Sequence, residues 1–157
     1  MISKIERGDA VPTTSVLGKL AEALNVSISQ LVGGQAVCTT VIVRESDQPE
    51  YREPQSGFTR RSLSPLYHGR GVDFVRNTLP VGQSTGPFPS HRSGVEEHLF
   101  VQSGEMEITV GDETYSLNSG DFLFYPADQE HTFHNAGQVE AVFFIVIDGT
   151  GAQSKIS

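Results

Sequence analysis

Residues 86–104 read GPFPSHRSGVEEHLFVQSG, and residues 120–135 read GDFLFYPADQEHTFHN. Together they hold four of the five histidines, His91, His98, His131 and His134, and the acidic pair Glu96-Glu97. Each stretch opens on a glycine and passes through proline, the punctuation of strand ends. Working outward, strand-like segments cover residues 72–79, 96–102, 105–110, 114–117, 121–125, 131–135 and 139–147. Gly104, Gly111-Asp112, Gly120-Asp121 and Asn135-Ala136-Gly137 separate them. Residues 105–110 alternate, with Glu105, Glu107 and Thr109 on one face and Met106, Ile108 and Val110 on the other. Residues 139–147 are apolar on both faces, which predicts a strand covered by a second layer or by a partner subunit. Upstream, Val37–Val43 is β-branched and strand-like. Residues 44–70 carry Pro49, Pro54, Gly57, Pro65 and Gly69, which predicts short strands joined by loops. Many short strands at this spacing make a sandwich or a barrel.

Composition bounds the reading further. The chain has 157 residues with 37% hydrophobic, 16 Gly and 8 Pro, too apolar for disorder and too turn-rich for a helical bundle. No apolar run approaches the length of a membrane span. MISKIERGDA lacks the apolar stretch of a secretory signal, so a soluble cytoplasmic protein is expected. The lone Cys38 excludes an intrachain disulfide and a CxxC motif, and reads as a buried strand residue. The net charge of −8 is uneven. Residues 77–157 hold Arg92 and Lys155 against eleven acids, whereas residues 1–34 are balanced. An acidic second half repels nucleic acid and anionic membrane, so any DNA contact belongs to the first half.

The two quoted stretches resemble the paired motifs of the cupin superfamily. Gly86, His91, Glu97 and Gly104 fit the first motif. Gly120, Pro126, His131 and Asn135 fit the second, with Asp128 where the motif has glycine. The resemblance covers roughly residues 37–148 and implies a double-stranded β-barrel, or jelly roll. It places metal ligands at His91, Glu97 and His131, while the fourth ligand position falls on Ser93, a poor ligand. Two imidazoles and a carboxylate are the set used by non-haem iron with open positions. Residues 91, 93 and 97 share parity, so they are expected to face the interior together. His98 and His134 have the opposite parity and are expected to face outward. The competing reading is a metal-free pocket in which His91, Ser93, Glu97 and His131, with Arg92 nearby, hydrogen-bond a polar or anionic ligand. His68 in its Tyr-His-Gly-Arg-Gly loop, and the Arg60-Arg61 pair, read as solvated surface.

Ahead of the barrel, Leu17, Leu20, Ala21 and Leu24 recur at helical spacing after Thr13 and Thr14 as candidate caps. Ser27–Leu31 reads as a second short helix closed by Gly33-Gly34. Residues 2–32 resemble the second half of a lambda-repressor-like (XRE-type) helix-turn-helix domain, with Ile2–Gly8 matching the end of its recognition helix. The base-reading residues of that helix precede this point. The expectation is that Met1 is an internal residue of a longer protein; the alternative is a natural remnant. Ser3, Lys4 and Arg7 are expected to contribute DNA-backbone contacts.

The fold expected is therefore mainly β, a cupin barrel over residues 35–157 preceded by a partial all-α helix-turn-helix segment over residues 1–34. The function implied is a non-enzymatic, DNA-binding transcriptional regulator. Its barrel would sense a small metabolite and act on a DNA operator through a complete helix-turn-helix. The alternatives are a metal-dependent cupin enzyme, a dioxygenase or an isomerase, and a metal-free binding module. The cofactor is expected to be none or a divalent metal. A homodimer is expected, since Phe143–Ile147 carries more apolar surface than one barrel face needs.

Overall fold

The computed structural model describes residues 40–65 and 71–153. The helical segment, Ser3, Lys4, Arg7, Cys38 and His68 lie outside the described residues. Within them the chain runs through a 3-10 turn (Glu45–Asp47), β1 (Glu50–Arg52), β2 (Thr59–Ser62), β3 (Val72–Leu79) and β4 (Ser84–Phe88). It continues through β5 (Glu96–Ser103), β6 (Glu105–Val110), β7 (Glu113–Asn118), β8 (Phe122–Pro126), β9 (His131–Asn135) and β10 (Ala141–Asp148), and closes on a short helix, α1 (Thr150–Gln153). No helix among the described residues is long and apolar enough to cross a membrane.

Two antiparallel sheets result. One has the order β1-β2-β3-β10-β5-β8, the other β4-β9-β6-β7. Their inner faces meet on Val75, Leu99, Phe143 and Ile145 from the first sheet and Met106, Ile108 and Phe133 from the second. Phe133 and Phe143 join the layers, with ring centroids 5.3 Å apart. This is the jelly-roll form of the cupin fold. It follows from period-2 burial: in β6 Met106, Ile108 and Val110 are buried while Glu105 and Glu107 are exposed.

Connections are short. Gly111-Asp112 makes a two-residue turn between β6 and β7, whose ladder closes on Val110 opposite Glu113. Gly104 links β5 to β6 with φ of +90°, and a Cβ there would stand 2.8 Å from the Cα of Ala141. Only glycine satisfies both constraints.

Three expectations need correction. Residues 40–43 belong to no strand, because no neighbouring strand pairs with them; residues 37–39 lie outside the described residues. β4, which contains Gly86 and Pro87, is not among the strands expected from the sequence. It is an edge strand, where the missing proline N–H costs no ladder bond, and the register shifts between Ser84 and Pro87. The last strand starts at Ala141 rather than 139, since the Val139 carbonyl accepts a hydrogen bond from the Asn135 side-chain amide in the preceding turn.

Candidate functional site

Three side chains converge inside one end of the barrel, each from a different element. Glu97 projects inward from β5 and is 2% exposed. His131 opens β9 in the opposite sheet and is also buried. His91 lies in the loop between β4 and β5, with its ring 39% exposed. That loop is tied in place, because His91 N–H donates to the Ala127 carbonyl (2.8 Å) and Ala127 N–H to the Val95 carbonyl (2.9 Å).

The distances suit a shared ion. Glu97 Oε1 lies 3.2 Å from His91 Nε2 and 3.7 Å from His131 Nε2. The three ligand atoms all lie within 4.8 Å of one another. Ligands about 2.1 Å from a common centre stand roughly 3.0–3.4 Å apart, so the group needs only small closure to take a divalent cation. The surroundings prepare the same donors. His131 Nδ1 is 3.1 Å from the Gln129 carbonyl, which fits an Nδ1–H donor and leaves the Nε2 lone pair free. The imidazole stacks between Phe88 and His91, with centroids 5.7 and 5.9 Å away. Tyr125, the cross-strand partner of Glu97, donates its hydroxyl to Glu97 Oε2. Burial, reinforced by the Glu97 carboxylate, holds that hydroxyl protonated far above the ordinary phenol range, with Arg60 opposing the shift. A buried carboxylate needs such partners, since desolvation alone would disfavour its charge.

Of the residues singled out in the sequence, His91, Glu97 and His131 come together. Ser93 does not. It sits exposed in a turn, because residues 91–95 are loop and strand parity does not apply to them. Arg92 is exposed as well. His98 lies on the outer face of its sheet against Phe122 and Phe124, and His134 pairs across β9 with Ser84 and Glu107. The Arg60-Arg61 pair divides. Arg61 holds Glu45 and Glu50 at the surface, both through its Nη atoms at 2.7 Å. Arg60, one residue away, belongs to the inner face. Tyr125 escaped the sequence reading because Phe122-Leu123-Phe124-Tyr125 is apolar throughout, with no alternation to mark which ring turns inward.

Comparisons with known proteins agree with this fold. The cupin-domain family model matches residues 75–152, and the helix-turn-helix family model matches residues 1–31. The chain is 27% identical over 147 residues to the HTH-type transcriptional regulator SutR of Escherichia coli K12, covering 94% of this chain and 78% of that one. It is 31% identical over 105 residues to Protein SchB of Streptomyces halstedii, covering 64% and 71% respectively. A crystal structure of iron(II)-bound HppE superposes with a TM-score of 0.67 at 20% identity, covering 86% of this chain and 76% of that one. At that identity the last likeness concerns the fold alone.

Proposed function

The chain belongs to the cupin family and carries a helix-turn-helix match ahead of its barrel, and from this premise we propose that it is a DNA-binding transcriptional regulator whose barrel senses a small metabolite. The observation that carries this reading is the pairing of the two matched segments in one chain, together with similarity to SutR over 94% of this chain. Residues 1–34 would form the DNA-reaching segment, with Ser3, Lys4 and Arg7 at the phosphates, and residues 35–157 the sensor. The acidic second half supports this division, since it disfavours DNA. A cytoplasmic location follows from the role.

Chromosomal immunoprecipitation of the tagged protein in its own cells tests the reading. The expected result is a small set of enriched sites sharing a two-fold symmetric sequence, with occupancy that changes with growth substrate. Uniform background occupancy would overturn it.

His91, Glu97 and His131 would hold a divalent ion, which would supply a Lewis acid with open positions for a ligand oxygen. The same three donors are the feature that favours the second reading, a cupin dioxygenase or isomerase.

A two-fold operator calls for a dimer, and the outer face of the six-stranded sheet is the surface we assign to it. Phe74, Val146, His98 and Phe124 lie in one cross-strand row, and Phe144, Phe100 and Phe122 in the next. Phe122 and Phe124 are 57% and 47% exposed. Contiguous exposed apolar surface of this kind marks an interface. Of Phe143–Ile147, Phe143 and Ile145 face the core, and Phe144 and Val146 face outward. Phe124→Glu places a charge from each copy within that apolar surface. It should weaken dimerisation at least a hundred-fold, read as a shift to monomer in analytical ultracentrifugation, with the melting temperature nearly unchanged. A parent chain that sediments as a monomer at tens of micromolar, or a variant that stays dimeric, would contradict the assignment.

A further inference from the structure

Two polar side chains on the inner face have no partner among the described residues. Asn77, between Val75 and Leu79 on β3, is completely buried, and neither its Nδ2 nor its Oδ1 meets a hydrogen-bonding group. Orphans of this kind are rare in folded proteins and call for a reason. Arg60 on β2 is the direct cross-strand neighbour of Asn77. Directly opposed residues of an antiparallel pair share a face, so Arg60 stands on the inner side with Asn77. No carboxylate among the described residues forms an ion pair with Arg60, whereas adjacent Arg61 has two.

β2 and β3 belong to the same sheet as β5, which carries Glu97. Among the described residues, the inner face of that sheet therefore carries a guanidinium without an ion pair beside a buried amide without a hydrogen-bond partner.

Those are the components of an oxyanion site. A guanidinium offers two parallel N–H donors to a carboxylate, and an amide NH2 offers a third. The negative Glu97 disfavours an anion at its own end of the barrel, so charge would sort a ligand's orientation. We propose that Arg60 and Asn77 form an anion subsite in the barrel interior, and that the effector is a small carboxylate held there by its charged end. Its other polar end then faces His91, Glu97 and His131. This rests on the reading of the barrel as a small-molecule sensor and specifies the chemistry it accepts.

Propionate and lactate, against their neutral amides propionamide and lactamide, are the probes. They are titrated into the full chain while nuclear magnetic resonance follows the Asn77 side-chain amide and the His131 ring. The expected result is saturable, low-millimolar binding of the carboxylates that shifts the Asn77 amide. Arg60→Gln should weaken it ten-fold or more, and Arg60→Lys should restore part of it. Binding of the neutral amides should not respond to Arg60→Gln. Arg60 is only partly buried, so the variants should keep the parent melting temperature. Carboxylate binding that moves His131 but is indifferent to Arg60→Gln overturns the anion subsite and leaves the sensor reading standing. No response of either resonance to any probe overturns both.

Discussion

Replacing Glu97 with glutamine weakens divalent-metal binding by roughly a hundred-fold, measured by competition against a chromogenic chelator with manganese, iron(II), nickel or zinc. The change is nearly isosteric, so what it removes is charge. Glu97 Oε1 is the donor shared by both imidazoles, 3.2 Å from one and 3.7 Å from the other, and it is the sole anion in the group. In a buried site that charge has little solvent screening and carries most of the attraction for a cation. Tyr125→Phe should cost less, about ten-fold, because it removes a hydrogen bond to the second carboxylate oxygen and leaves the donors in place. His134→Ala should change nothing, since that ring lies on the other face of β9 from His131 in pleat terms. Should the parent chain itself hold less than one equivalent of every metal offered, the group is a hydrogen-bonding pocket. The metal-dependent enzyme reading then falls, while the sensor reading is untouched.

The strands that the sequence marked clearly are those whose alternation is clean. Residues 105–110 and 131–135 match β6 and β9 at both ends, because one face of each is core and the other is not; residues 72–79 match β3 as well, although its last three residues are all buried. β4 was illegible for a physical reason: its glycine and proline are tolerated only because it is an edge, and edge position is a property of the assembled sheet. The site divides in the same way. His91, Glu97 and His131 could be named from motif spacing. Ser93 could not be rejected, because its exclusion depends on the path of a loop that zips to Ala127. Tyr125, Arg60 and Asn77 could not be found at all. Each matters through a neighbour brought alongside by strand pairing: Glu97 for Tyr125, and each other for Arg60 and Asn77. Pairing register between residues 17 to 28 apart in sequence is a long-range fact, and composition carries no trace of it.

Asn135→Ala should be the most destabilising polar substitution in the barrel, lowering the unfolding free energy by about 3–5 kcal/mol. The side chain is fully buried and works at three points. Its Nδ2 donates to the carbonyls of Leu79 and Val139, both at 2.9 Å, and its Oδ1 accepts from Gly137 N–H at 3.0 Å. It thereby ties the end of β3 to the turn that feeds β10, the two neighbours at the centre of the larger sheet. Alanine would leave the buried Leu79 carbonyl and Gly137 amide and the part-buried Val139 carbonyl without this partner, each buried group costing about 1–3 kcal/mol, with a total below the sum because one relaxation can serve all three. Against a typical total stability of about 5–15 kcal/mol, that is a large fraction. In thermal unfolding it corresponds to a fall of roughly 8–15 °C. Asn135→Asp separates hydrogen bonding from volume. Aspartate can still accept from Gly137 but cannot donate to either carbonyl, and it brings a buried charge, so it should do no better than alanine. Asn118→Ala, at an exposed position, should stay within about 0.5 kcal/mol of the parent. If urea denaturation instead shows Asn135→Ala and Asn118→Ala to be equivalent, the turn is held by its backbone alone, and the asparagine of the second motif has some role other than stability.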